Sequence, residues 1–193
     1  MSFLQLANDP HLACGRRTFL GRSGLLLSAS AVALLSGRES LAAGQKNADA
    51  GADVAILNAA LGAEREAIAA YQLGADSGLL EPAVKSLALK FQGHHKAHAD
   101  ILAATVSKLG GHPVEGKSKY GFAVEKLKSQ SDVLRLAAQL EQGAVSAYLG
   151  AVPKFENRDL SKAAASILGD EAMHWAVLRN ALGEDPVPAA FVG

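Results

Sequence analysis

The chain has 193 residues, and its 19 lysines and arginines balance its 19 aspartates and glutamates, so that the formal net charge is zero. This balance excludes a basic nucleic-acid-binding protein and a chain that is kept disordered by its own charge. Hydrophobic residues make up 49% of the chain and its single cysteine cannot form an internal disulfide, so we expect a compact domain with an ordinary core.

The first 43 residues have the pattern of an export signal. The twin arginines Arg16 and Arg17 precede an apolar run over residues 24–35, and small residues follow at Ala42 and Ala43. The pattern resembles the bacterial twin-arginine (Tat) signal, which implies the Tat export machinery as a partner and a periplasmic or otherwise exported location. The run of about 12 residues is shorter than the roughly 20 that cross a bilayer, so no membrane span is expected after cleavage. An uncleaved signal that tethers the protein to the membrane is the alternative.

Residues 44–193 are predicted to form one all-α domain, because their apolar residues recur at spacings of three and four. Capping and terminating residues divide this region into four helices. The predicted helices cover about 53–74, Pro82 to Leu109, a segment after Ser131 that is bounded by Pro153, and Asp159 or Ser161 to Gly183.

The lengths of the connections predict how the helices are arranged. The first and third connections are each about six residues long, which favours antiparallel neighbours within each pair. The segment over residues 110–130 has about 20 residues, enough to cross a helix of about 37 Å. We therefore expect a four-helix bundle that is made of two antiparallel hairpins joined by a long crossover.

The sequence also repeats itself. The pattern Glu-x-x-Ala-(Ile/Val)-x-Ala-Tyr runs from Glu64 to Tyr71 and again from Glu141 to Tyr148. The second helix of each pair carries a histidine with a leucine four residues later, first at His98 and then at His174. The repeat predicts two equivalent hairpins that are related by a pseudo-two-fold axis.

Ionisable residues interrupt the apolar stripe of every predicted helix near its middle. These residues are Glu64, His95, His98, Glu141, Glu171 and His174. Buried charges cost several kcal/mol each unless they are paired or bound to a metal. Residues three apart share a helical face, so His95 with His98, and Glu171 with His174, can each offer two donors to one centre. Imidazole and carboxylate suit iron or manganese, and zinc would also bind.

Some assignments stay open at this stage. His94 and His98 are four residues apart, so a small rotation of the helix would exchange His94 with His95 as the inward residue. Tyr71 and Tyr148 each lie seven residues beyond an inward glutamate, where packing with a hydrogen bond is the preferred interpretation. Gly143 lies two residues after Glu141 and either admits close helix approach or a ligand, or is a tolerated irregularity in the helix. A metal-free network of imidazolium and carboxylate groups is the alternative to a metal centre.

The four-helix pattern resembles the ferritin-like superfamily, in which Glu, Glu-x-x-His, Glu and Glu-x-x-His hold a di-iron or di-manganese centre. The resemblance covers about residues 53–182 and is closest to exported bacterial ferritin-like proteins of unassigned activity. It implies that Glu64, His98, Glu141, Glu171 and His174 are metal ligands, with His95 as a provisional sixth. His95 stands where the family has a carboxylate, so the resemblance leaves open whether the site holds one ion or two.

The resemblance implies an exported metal-binding protein, and an oxidoreductase whose reduced centre reacts with dioxygen or peroxide is the leading hypothesis. Whether the protein is an enzyme is not fixed by the sequence. The alternative is a non-catalytic helical protein of the cell envelope, related to stress or desiccation, with a metal-free polar core. Iron storage ranks third, because a storage cage requires a homo-oligomer whose interfaces one sequence does not reveal.

Overall fold

A computed structural model describes residues 49–192, and the predicted export signal over residues 1–43 lies outside the described residues. Within this range the four α-helices are α1 (Asp49–Asp76), α2 (Pro82–Lys108), α3 (Gln130–Ala151) and α4 (Arg158–Ala181). Between residues 49 and 192 the chain contains no strand. The predicted all-α fold is confirmed, and the predicted helix ends agree with the structure to within a few residues. None of the helices in this part of the chain is long and apolar enough to cross a membrane.

The helix ends follow from local sequence. Pro82 begins α2, where its missing amide hydrogen costs nothing. The side chains of Ser129 and Asn157 cap α3 and α4 by accepting hydrogen bonds from backbone amides of the first turn. Gly110 and Gly183 follow α2 and α4 with positive φ angles of 81° and 75°, which favour glycine. The second helix of each hairpin therefore ends in the same way, as the internal repeat predicts.

The crossover between the hairpins runs along the length of α1. Near the start of α1, the Asn58 side chain donates to the carbonyl of His112 at 3.0 Å and accepts from the amide of Val114 at 2.8 Å. Beyond the other end of α1, the Gln130 side chain accepts a hydrogen bond from the amide of Glu81 at 2.8 Å. Because α3 starts at the end of the bundle where α2 also starts, these two helices run in the same direction and the long crossover is confirmed.

The apolar core consists of two clusters, one towards each end of the bundle. The larger cluster includes Leu57, Leu61, Leu102, Val106 and Ile167. The smaller cluster includes Tyr71, Phe91, Leu134 and Leu178. Along each helix, the predicted inward glutamates and histidines lie between the residues of the two clusters. A polar layer is thus enclosed by apolar packing on both sides, which lowers the local dielectric constant and strengthens electrostatic interactions within it.

Candidate metal centre

All six predicted inward residues meet in the layer between the two apolar clusters. Five of them have an exposed fraction of 3% or less: Glu64, His95, Glu141, Glu171 and His174. The His98 side chain is 15% exposed. Each helix therefore contributes at least one ionisable side chain to a common buried site, as the helical spacing predicted. Their role as metal ligands stays a prediction.

The first group of donors joins α1, α2 and α4. The Nδ1 atom of His95 lies 2.8 Å from Oε2 of Glu64 and 3.5 Å from Oε1 of Glu171. The Nδ1 atom of His98 lies 3.1 Å from Oε1 of Glu171 and 3.6 Å from Oε1 of Glu64. These ligand atoms lie within 4.8 Å of one another.

The second group of donors joins α2, α3 and α4. The Nε2 atom of His95 lies 3.2 Å from Oε1 of Glu141. The Nδ1 atom of His174 lies 3.4 Å from Oε1 of Glu141 and 3.0 Å from Oε2 of Glu171. The Phe91 ring stacks on the His174 ring with centroids 4.1 Å apart, which fixes the orientation of the imidazole.

The separations between these donors match those of ligands around one ion. Ligands at about 2.1 Å from a metal are about 3.0 Å apart at neighbouring octahedral positions and about 3.4 Å apart in a tetrahedron. Glu171 serves one group through Oε1 and the other through Oε2, so it can bridge two ions. His95 also faces both groups, but a neutral imidazole has only one free lone pair. His95 can therefore ligate one ion unless its ring loses both protons.

Two tyrosines bind the carboxylates in a crossed pattern. The Tyr71 hydroxyl of α1 donates to Oε1 of Glu141 on α3, and the Tyr148 hydroxyl of α3 donates to Oε1 of Glu64 on α1 at 2.6 Å. Burial and the adjacent carboxylates raise the pKa of both tyrosines well above the ordinary value, so both remain protonated donors. The crossed pairs reproduce the internal repeat in space, and the preferred sequence interpretation of packing with a hydrogen bond agrees with them.

Imidazoles and carboxylates shift each other's pKa in the metal-free site. Burial alone would lower the pKa of His95, but hydrogen bonds with Glu141 and Glu64 raise it to about 10. The carboxylates likewise overcome burial and raise the pKa of His98 and of His174 to about 9. Burial would raise the pKa of Glu64, yet His95 and His98 lower it to about 2. Without a metal the three rings are therefore protonated at neutral pH, and a metal must displace protons to bind them.

One buried oxygen supports the fit of a cation to this site. Oε2 of Glu141 is buried without a hydrogen-bond partner, and no other buried side-chain oxygen or nitrogen of the described residues lacks one. Burial without a partner is costly for a carboxylate oxygen, and the pKa of Glu141 is lowered because the imidazoles around it overcome the effect of burial. A bound cation would satisfy this oxygen, so the donor set fits a metal.

A cleft between α1 and α3 reaches the carboxylates. Its floor includes Glu64, His95 and Glu141, and its walls carry small residues such as Gly143 and Ala147. A Cβ atom added at Gly143 would meet no atom within 4 Å, so this glycine does not serve close helix packing. The cleft therefore places open space next to the buried donors.

The structure also brings in two residues that the sequence interpretation did not place in the site. His95, rather than His94, lies in the core, as preferred from its apolar flanks. His94 is nevertheless close, because its Nδ1 atom lies 2.9 Å from Nε2 of His174 and 3.1 Å from Oδ2 of Asp170. Asp170 was not singled out at all, although its spacing of four from His174 is the signal that could have revealed it.

Comparisons with known proteins agree with this architecture. The family model described as a ferritin-like domain matches residues 52–184. A crystal structure of a conserved hypothetical protein from Mycobacterium tuberculosis is 26% identical, with a TM-score of 0.65, and the match covers 75% of this chain and 99% of that one. A crystal structure of a ferritin-like, diiron-carboxylate protein from Bacillus anthracis str. Ames is 21% identical, with a TM-score of 0.60 and coverage of 71% and 99%. No curated protein matches the chain significantly.

Proposed function

The chain belongs to the ferritin-like domain family, and on this premise we propose that it binds one or two divalent metal ions, iron or manganese, in the core of its helical bundle. The observation that carries the proposal is the buried layer of three carboxylates and three imidazoles with one unpartnered carboxylate oxygen, Oε2 of Glu141. Carboxylate and imidazole donors suit both metals, and zinc is a competitor. The similar Bacillus anthracis protein is described as a diiron-carboxylate protein, which makes iron the first metal to test.

Some residues of the site would bind the metal, and others position those ligands. Glu64 and Glu141 would each hold one side of the centre, while Glu171 would lie between the two groups of donors through its two oxygens. Tyr71 and Tyr148 hold the carboxylates of Glu141 and Glu64 in place by donating a hydrogen bond to one oxygen of each. In Glu141 the hydroxyl donor leaves Oε2 without a partner and able to face an ion, and in Glu64 the remaining Oε2 is paired with His95; positioning carboxylates in this way is the role of a supporting shell around a metal.

We further propose that the bound metal takes part in redox chemistry with a small oxidant in the periplasm or another exported compartment. Reduced iron or manganese, when bound, supplies electrons to dioxygen or peroxide. The cleft between α1 and α3 lies against the carboxylates and would admit molecules of this size, while apolar clusters enclose the polar layer towards both ends of the bundle. Export through the Tat pathway would follow from the twin arginines Arg16 and Arg17.

Metal binding is tested by elemental analysis of protein isolated from the exported fraction, together with thermal unfolding before and after addition of Fe(II) or Mn(II). We expect stoichiometric metal and a melting temperature that rises with metal concentration, because a ligand that binds only the folded state stabilises it. Glu141→Gln should reduce the amount of bound Fe(II) or Mn(II) and the rise in melting temperature, because it removes a ligand of the second donor group, whereas Glu125→Gln, at an exposed glutamate outside the site, should leave both unchanged. Oxygen or peroxide consumption that disappears in Glu141→Gln would support the redox proposal.

The alternative is a non-catalytic protein with a metal-free polar core. The pairing of three protonated imidazoles with the carboxylates favours it, because most buried donors and acceptors already have partners. The unpartnered oxygen of Glu141 is the observation against it. Metal in far less than stoichiometric amounts, combined with an unchanged melting temperature on adding Fe(II) or Mn(II), would decide for this alternative.

A further inference from the structure

A third cluster of donors lies between α2 and α4, on the outer side of His98 and His174. Oδ2 of Asp170 is surrounded by imidazole nitrogens, at 3.1 Å from Nδ1 of His94, 3.4 Å from Nε2 of His174 and 3.5 Å from Nε2 of His98. Nδ1 of His94 and Nε2 of His174 are 2.9 Å apart. The donors of His94, Asp170 and His174 lie within 4.8 Å of one another, which makes them a candidate group separate from the two in the core.

We propose that His94, Asp170 and His174 form an outer binding site for a single divalent metal ion of borderline softness, such as Zn²⁺ or Co²⁺. The separations of 2.9 to 3.4 Å among the three donors are those of ligands about 2.1 Å from a common ion. Nitrogen-rich donor sets favour zinc, cobalt, nickel and copper over manganese. The outer site shares His174 with the second core group but uses its other nitrogen, Nε2, while His94 and Asp170 belong to neither core group, so the proposal does not require that the core centre binds metal.

The second nitrogen of the shared His174 imidazole supports this assignment. When Nε2 of His174 faces the outer site, its Nδ1 lies 3.0 Å from Oε2 of Glu171 and can donate a hydrogen bond to it. The neighbouring His98 likewise lies between the two carboxylates, with Nε2 at 3.5 Å from Asp170 and Nδ1 at 3.1 Å from Oε1 of Glu171. Metal-bound histidines commonly donate from the other nitrogen to a carboxylate, which fixes the tautomer and the ring. Glu171 would therefore support the outer ion from within the core.

Exposure places the outer site between solvent and the core. The His94 and Asp170 side chains are 37% and 24% exposed, whereas Glu171 between them and the core is fully buried. His174 contributes Nε2 to the outer site and Nδ1 to the core, and a neutral imidazole can bind only one metal at a time. An ion at the outer site thus competes with an ion in the second core group. The outer site is suited to capture an ion from solvent and pass it inward through the shared histidine.

Zinc titration of the EDTA-treated protein tests the proposal, with the number of bound ions and their affinities measured by calorimetry and elemental analysis. His94→Ala and Asp170→Asn should each weaken the binding of one equivalent by more than about 100-fold, since loss of a direct ligand exceeds the usual effect of a supporting residue. His112→Ala, at an exposed loop histidine, is the matched control and should bind zinc as the unaltered protein does. Co²⁺ bound at this equivalent should show the visible absorption of tetrahedral nitrogen and oxygen ligation.

Glu141→Gln separates the outer site from the core. The equivalent that depends on His94 should persist in Glu141→Gln, because Glu141 belongs to the core group alone. Unchanged zinc binding in His94→Ala and Asp170→Asn would overturn the proposal, as would an equal loss in His112→Ala. Loss of the His94-dependent equivalent in Glu141→Gln would also overturn it, since His94 would then act only through the core. If only the core proposal is wrong and the core binds no metal, the His94-dependent equivalent of zinc should still be measured.

Discussion

Replacing His95 with glutamate tests the central feature of the core, because this residue faces both groups of donors. In the metal-free protein the His95 ring lies between Glu64 and Glu141, at 2.8 and 3.2 Å from their nearest oxygens. His95→Glu removes this cation and adds a fourth carboxylate. Breaking a buried ion pair costs about 3–5 kcal/mol. At about 2–4 °C per kcal/mol for a domain of this size, the melting temperature of the metal-free variant should fall by about 6–20 °C.

Metal should reverse this loss, because the added carboxylate can bridge two ions where a neutral imidazole can bind only one. At a thousandfold excess over the dissociation constant, a bound ion restores about 4 kcal/mol. The assay is calorimetric unfolding with and without Mn(II), combined with the number of bound ions. His95→Gln should lose stability without gaining an ion, and His112→Glu on the exposed loop should change neither quantity. The reasoning is refuted if metal-free His95→Glu is as stable as the unaltered protein. It is also refuted if His95→Glu does not bind a second ion more tightly than the unaltered protein does.

Three further predictions concern the metal-free protein. Tyr148→Phe removes a buried hydrogen bond to the Glu64 carboxylate, so it should lower the free energy of unfolding, measured in urea, by about 1.5–3 kcal/mol. Tyr120→Phe in the crossover should change this free energy only slightly. The stabilisation from His95, whose pKa is raised from 6.5 to about 10, is complete below pH 6.5 and is lost as the pH rises towards 10. The stabilisation from Glu64, whose pKa is lowered from 4.5 to about 2, is complete above pH 4.5 and is lost as the pH falls towards 2. The two groups together predict that the melting temperature is highest between pH 4.5 and 6.5. Asp53→Ala should cost about 1–3 kcal/mol in urea unfolding, because the buried Asp53 carboxylate accepts hydrogen bonds at 2.9 and 3.1 Å from two amides that lead into α4.

Each of these three would be contradicted by a specific result. A Tyr148→Phe variant as stable as Tyr120→Phe would show that the hydroxyl does not stabilise the carboxylate. A melting temperature that stays constant from pH 6.5 to 10 would show that the buried rings are neutral in the folded state. An Asp53→Ala variant that unfolds at the same urea concentration as the unaltered protein would show that water replaces the carboxylate at both amides.

The periodicity of the sequence was sufficient to predict the fold and the inward donors of the core. Which side of a helix is buried can be inferred from the spacing of apolar residues along that helix alone. The apolar residues on either side of Glu64, Glu141 and Glu171 determine which way these carboxylates point. The crossed tyrosine contacts depend on how two helices approach each other, which spacing along one helix does not encode. Asp170 has one partner, His174, at helical spacing on its own helix, but its contacts with His94 and His98 come from the other hairpin and are not encoded by spacing along α4.

The two departures of α2 from the internal repeat have a common chemical consequence. Under the repeat, His94 and His95 on α2 occupy the positions of Asp170 and Glu171 on α4, while His98 matches His174. Two carboxylates of one hairpin are thus two imidazoles in the other, one facing the core and one facing the outer cluster. The change removes two negative charges and supplies nitrogen donors in place of oxygen donors, which would shift the preference of a metal bound at either proposed site from manganese towards zinc and other metals that bind nitrogen well. If the core holds iron or manganese in the cell, its selectivity must therefore arise from Glu64, Glu141 and Glu171 and from the metal available where the protein folds.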